Sequence, residues 1–334
     1  MIRSFAGVLG VLGLLSVGLM GVSASGQQAG ASSSAPSQAE AQNEAKFPDR
    51  PELLRRIALY EAAIRNAETT HAATEILVTI YANLAALYED AGMYSKSEDV
   101  MRCEISVLRS GPLDELADAV GHLAVLHIAM GDPRQAEKDD FEALRIRESV
   151  GDPVRVALTW TNLAAVYVRE RRPKKALDYA QKAMAVLADD PKVEVADRIE
   201  VRHALAYALC ALKECGQAIP LLKEALALQA SVYGADSLLV GTGTYLLGYT
   251  YWQNGEMDKA AYCMGRGTAR MKVELGWGHT IYLNAMTQYA KFLRERGQME
   301  AATTAEREIK MANAVVDART LSASPNAFLA GGAR

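Results

Sequence analysis

Little in the sequence suits a sheet, a redox centre or a nucleic-acid surface. Its 334 residues hold only 5 Phe, 3 Trp and 10 Pro. Scarce proline leaves long stretches without a helix breaker, and the abundant Ala and Leu enter helices at low cost, so helices are expected. The four cysteines, Cys103, Cys210, Cys215 and Cys263, form no Cys-x-x-Cys pair. Zinc-ribbon and thioredoxin-like chemistry therefore lack their ligands. The formal net charge is −4, without the basic excess that neutralises phosphates, so nucleic acid is not the expected ligand. His-Glu-x-x-His, Gly-x-Ser-x-Gly and a phosphate-binding loop with its Lys are all missing, and no catalytic centre, metal, cofactor or small-molecule substrate is expected. Gly241 and Gly243 are a lone pair inside a helix-like segment and suggest no phosphate site.

What is present begins with an N-terminal address. After Arg3, an uncharged apolar run extends from Phe5 to Met20, and Val22-Ser23-Ala24 follows as a small-residue cleavage pattern. Residues 1–24 read as a signal peptide, with an uncleaved N-terminal anchor as the alternative. Export, most simply to a bacterial periplasm, is the expectation; an uncleaved segment would keep the protein near a membrane. Residues 25–46, rich in Ala, Ser, Gln and Gly, offer nothing large to bury and read as a flexible linker.

From about residue 53 the chain turns helical and repetitive. A Leu-small pair recurs at Leu84-Ala85, Leu123-Ala124, Leu163-Ala164, Leu205-Ala206 and Leu247-Gly248, and more weakly at Tyr289-Ala290. Each small residue is followed 12 positions later by another, at Ser97, Ala136, Ala176, Ala218, Ala260 and Ala302. Two antiparallel helices that approach to about 8–10 Å need small side chains where they cross. Gly92, Gly131, Gly255 and Gly297 fall between the paired helices, where a positive φ ends a helix. Arg171 and Lys213 occupy that place in the other two units, which predicts strained or lengthened turns there.

Trp160-x-x-Leu163-Ala164-x-x-Tyr167, followed by Ala176, resembles the tetratricopeptide repeat. The spacing between units is 39, 40, 42, 42 and 42 residues, longer than the common period of about 34. That spacing, with Asn83-Leu84-Ala85 and Asn162-Leu163-Ala164, is similar to the kinesin light chain subclass. The resemblance covers roughly residues 75–313. It implies an all-α fold: a right-handed superhelical solenoid of six helix hairpins within residues 47–313, plus a partial N-terminal cap near Leu53–Glu68. Residues 314–334 read as a tail, frayed or docked through Phe328-Leu329.

The resemblance also implies that the first helix of each hairpin lines a concave groove. By register this places Tyr207, Tyr245, Tyr249 and Trp252 there, with Thr161, His203, Thr242 and Lys291 as polar neighbours. These are the candidate partner-binding residues, equally readable in part as core between repeats. His203 could face the groove or solvent, whereas His127 sits where other units have Tyr and reads as a packed core residue. The acidic cluster Glu137, Asp139, Asp140 and Glu142 reads as a solvated helix face interleaved with Arg145 and Arg147. The run Arg169, Arg171, Arg172, Lys174 and Lys175 reads as a solvated patch, or as a contact for an acidic partner or membrane surface. Cys210 and Cys215 are expected as free, buried thiols, a bridge between them being the alternative. The expected function is a non-enzymatic adaptor that holds a protein or peptide in the groove. The alternatives are a structural component of an envelope complex packed through the edges of the array and, remotely, an enzyme accessory domain.

Overall fold

A computed structural model describes residues 50–70 and 72–322. The expected signal peptide and linker lie outside the described residues. The described residues form thirteen α-helices and no strand. Helix α1 (Arg50–Thr69) stands alone as the expected cap. Six hairpins follow: α2 (Thr74–Asp90) with α3 (Tyr94–Leu108), α4 (Leu113–Met130) with α5 (Pro133–Val150), and α6 (Pro153–Arg169) with α7 (Pro173–Leu187). The others are α8 (Val195–Ala211) with α9 (Cys215–Tyr233), α10 (Leu238–Gln253) with α11 (Met257–Leu275), and α12 (Thr280–Glu295) with α13 (Met299–Ser322). Helix α13 runs on to Ser322, past the boundary expected near 313.

The chain divides into two compact units, with the change at Val232–Tyr233. In the first, α1 to α9 bury a core that includes Leu108, Leu126, Leu163, Tyr167 and Leu187. Each such side chain contributes about 1.5–3 kcal/mol by leaving water. The second unit, α10 to α13, is built around Tyr245, Met264, Met271, Tyr282 and Phe292.

The small-residue pairs lie at the helix crossings. Ala85, Ala124, Ala164, Ala206 and Ala290 and their partners Ser97, Ala136, Ala176, Ala218 and Ala302 are all buried. In the first hairpin the two helices are near enough for Ser97 Oγ to donate to the Ala85 carbonyl at 3.1 Å. Helices α10 and α11 come closer still, and glycine is why. A Cβ on Gly248 would lie 2.5 Å from the Met264 nitrogen, and one on Gly267 would lie 2.5 Å from Tyr245 Cβ. Gly241 passes equally close to the Arg270 side chain, so this glycine serves packing.

All six hairpin turns are the same. An amide two or three residues past the end of each first helix reaches back five residues: Met93 to Tyr88, Asp132 to His127, Arg172 to Tyr167, Glu214 to Leu209, Glu256 to Tyr251 and Gln298 to Leu293, at 2.7–2.9 Å. This is the long bond of a Schellman motif, and it requires a left-handed residue just before the donor. Glycine supplies that residue in four turns, at φ 71 to 82°. Arg171 and Lys213 supply it in the others, at φ 58° and 69°. The expectation of lengthened turns there is corrected: the bond is unchanged, and a side-chain-bearing residue adopts the conformation that glycine prefers. Helix starts are capped where the chain allows. Asp132 accepts the Gln135 amide at 3.0 Å, and Asp152 accepts those of Val154 and Arg155 at 2.9 and 3.2 Å. A proline follows each cap at the first helical position.

Candidate functional site

In the first unit, α4, α6 and α8 turn one face each toward a common cavity. It is lined by Ala124, Val125 and Ile128 of α4, Thr161, Asn162, Ala165 and Val166 of α6, and Glu200, His203 and Ala204 of α8. Asp140 of α5 joins them from behind. The space that water could occupy is about 50 Å³, enough for roughly three or four water-sized spheres. Val125, Ile128, Asn162, Ala165 and Glu200 are half-buried, so the cavity reaches the surface.

Its polar groups are unusual for their burial. Asp140 is 1% exposed and its Oδ1 has no hydrogen-bond partner. Burial holds its carboxyl well above the usual carboxylate range, while Arg147 and a hydrogen bond from Asn162 pull it partly back. Glu200 is pushed up to about 8 by burial and by the nearby Asp197. His203, also 1% exposed, has its pKa depressed to about 4 by burial, so its ring is neutral near pH 7. Its Nδ1 has no partner either. One helical turn further along α8, the buried hydroxyl of Tyr207 is likewise unpartnered.

The eight candidate residues separate. Thr161 and His203 line the cavity, though the Thr161 hydroxyl is engaged by the Ala157 carbonyl at 3.2 Å. In the second unit, Tyr245 is wholly buried and donates to the Ala285 carbonyl at 3.1 Å, a core position. Thr242 is buried with its hydroxyl on the Leu239 carbonyl at 2.9 Å. Tyr249 and Trp252 are half-buried and meet edge to face at 5.6 Å. The Trp252 indole packs on Phe292 at 5.6 Å and donates to Glu295 at 2.8 Å. Lys291 is exposed.

The acidic run on α5 is not a solvated face, and that expectation is corrected. Glu137 accepts the Tyr167 hydroxyl at 2.6 Å. Asp139, 7% exposed, is paired with the ring of His127, whose other nitrogen meets Glu98 at 3.4 Å. Burial opposes a charge on His127, but Asp139 and Glu98 outweigh it and raise its pKa. Arg147 is bound inward by Asp118 at 2.8 Å and Thr159 at 2.6 Å. Only Glu142 reaches out, to Arg109 at 3.5 Å. Asp139, Asp140 and Arg147 lie on the side of α5 that packs against α4 and α6, whereas Lys138, Arg145 and Glu148 stay exposed. His203, too, is buried, which corrects its reading as a solvated histidine.

The basic run is partly spent within the fold: Arg172 bonds Glu170 at 3.0 Å and lies over the Tyr167 ring at 4.9 Å, as does Lys175. Cys210 and Cys215 form a disulfide with Cα atoms 4.3 Å apart, correcting the expectation of free thiols. The first lies in the last turn of α8 and the second starts α9, so the turn at Lys213 brings them together. Among the described residues no three His, Cys, Asp or Glu side chains are grouped to hold a metal, and no helix is long and apolar enough to cross a membrane.

Six hairpins, closed by small residues and by the same turn, with one cap helix, define an all-α helical repeat protein. A family model described as tetratricopeptide repeat matches residues 115–189 and 197–272, and those residues form tetratricopeptide repeats. No curated protein sequence matches it. Solved structures do. The apo form of RapI is similar at TM-score 0.62 and 14% identity, over 83% of this chain and 97% of that one. A Rap protein complexed with competence and sporulation factor is similar at TM-score 0.58 and 15% identity, over 82% and 77%. Kinesin light chain repeats of P. anserina align at TM-score 0.45 and 17% identity, over 57% and 93%.

Proposed function

We propose that this protein is an exported, non-enzymatic scaffold that holds a protein or peptide partner against the shared face of α4, α6 and α8. The observation that carries the reading is that face itself: three first helices of successive repeats converge on one cavity with buried, unpartnered polar atoms. A repeat array presents such a face because each hairpin buries only its sides against its neighbours. The solved structure of a Rap protein with competence and sporulation factor is a precedent for a bound factor on this fold; similarity at 15% identity extends to the fold alone. Export, with the periplasm as the favoured destination, rests on the apolar run from Phe5 to Met20 and the small residues that follow it.

The test is crosslinking with mass spectrometry in native envelopes, comparing the intact protein with Ala165→Phe. Ala165 is half-buried at the cavity, so the larger ring fills the space without entering the core. A partner captured by the intact protein and lost from the variant supports the scaffold reading. Identical neighbours for both would sink it.

A further inference from the structure

We propose that the cavity between α4, α6 and α8 seats a lysine side chain of the partner, with the ammonium against Asp140, Glu200 and His203. The proposal rests on the scaffold reading and specifies the chemistry of the same face.

Three observations carry it. The first is unmet acceptor capacity. Asp140 Oδ1 and His203 Nδ1 are buried and unpartnered, a costly state for a polar atom away from water. A neutral imidazole protonated on Nε2 offers Nδ1 as an acceptor, as a carboxylate offers its oxygens. An ammonium has three donors and needs just such a set. The second is charge. Two carboxyl groups line the cavity and no Lys or Arg does. The nearby Arg147 gives its terminal nitrogens to Asp118 and Thr159; its Nε is without a partner, and its charge offsets only part of the burial that raises Asp140. Burial keeps protons on the empty site's carboxyls; a bound cation takes a proton's place and restores the carboxylate. The third is shape. About 50 Å³ suits a compact ammonium, whereas a guanidinium asks for a broad, flat slot. Ala124, Val125, Ile128 and Ala165 give an apolar wall for a four-carbon stem. A peptide's terminal amine has no such stem, which favours lysine over a free N-terminus.

The test uses the full chain with ¹³C-labelled histidine. Nα-acetyl-lysine methylamide is titrated while the His203 ring signal is followed. Nα-acetyl-norleucine methylamide, of nearly the same shape without the charge, and alanine methylamide with its free amine are run alongside. The lysine compound is expected to shift the His203 signal saturably, the other two at least tenfold more weakly. Glu200→Gln, which keeps the shape and removes the charge, is expected to weaken lysine binding about tenfold. Equal binding of the norleucine compound would overturn the proposal in favour of an apolar slot. Equal binding of alanine methylamide would overturn it in favour of a peptide N-terminus. No binding, or binding unchanged in Glu200→Gln with an unaltered melting profile, would overturn it outright. If Ala165→Phe still abolishes partner capture in those cases, the scaffold reading survives and only the lysine assignment fails.

Discussion

The hairpin α10–α11 and the helices α4 to α8 solve the same packing problem with different materials. In α10–α11, glycine brings backbone against side chain and aromatic rings fill the rest: Gly248 on Met264, Gly267 on Tyr245, and Tyr245 itself sealed in the core. In α4 to α8, alanine pairs close the crossings, and polar groups fill the remaining space both within hairpins, His127 with Asp139 and Arg147 with Asp118, and between them, His127 with Glu98 of α3 and Tyr167 with Glu137. The first arrangement leaves no room for a Cβ at Gly248 or Gly267. The second depends on polar partners from different helices, and where the partners run out it leaves the cavity. A repeat can therefore be a spacer or a site according to whether its interior is finished with hydrocarbon or with charge.

The largest expected effect comes from breaking the polar interior. His127→Leu leaves the buried Asp139 without its cation and should cost about 3–5 kcal/mol in urea melts at pH 6. The raised His127 pKa sets the sign of the pH dependence. Its stabilisation is complete below the unfolded value of about 6.5 and is lost as pH rises through the folded value. Parallel melts of the wild type and His127→Gln at pH 6 and pH 9 should differ more at the lower pH; a gap that widens with pH would contradict the ion-pair account.

Adding one carbon to the α10–α11 hairpin is next. Gly267→Ala should destabilise by about 1–3 kcal/mol through overpacking. At an uncrowded helix position the same change gains up to about 1 kcal/mol. Gly121 in α4 is the control, because a Cβ there meets nothing nearer than the Arg147 guanidinium at 3.7 Å. Equal melting shifts for the two variants would erase the distinction between the regions. A smaller gain, about 1 kcal/mol, is expected for Arg171→Gly, which relieves a left-handed conformation that side chains disfavour. A lower melting temperature in that variant would mean that contacts of the Arg171 side chain outweigh backbone relief. At the smallest scale, alkylation without reductant should label the exposed Cys103 and spare Cys210 and Cys215, and reductant should open both to label.

The hairpins were legible because a 12-residue spacing between small side chains is a local pattern with one physical cause. The cap helix, the turn positions and the core role of His127 could be read for the same reason. What escaped depends on distant partners. Asp139 and Asp140 look like solvent-facing residues until α4 and α6 close over them. Gly267 carries no sign in its own helix that Tyr245 will pass against it. The left-handed state of Lys213 is imposed by the Glu214 amide reaching Leu209, a backbone bond to which the side chain contributes nothing. Of the cavity, Thr161 and His203 followed from the repeat register. Asp140 did not, because it belongs to a second helix, and no local pattern marks Glu200.

That backbone bond has a wider consequence. The carbonyl it uses belongs to Tyr88, His127, Tyr167, Leu209, Tyr251 or Leu293 according to the repeat, so a phenol, an imidazole and an aliphatic chain are interchangeable where each first helix ends. Punctuation is thus separated from vocabulary. A duplicated hairpin can acquire a new chemical group at this place without relearning how to turn, which makes the array a ready substrate for divergence and for grafting by design.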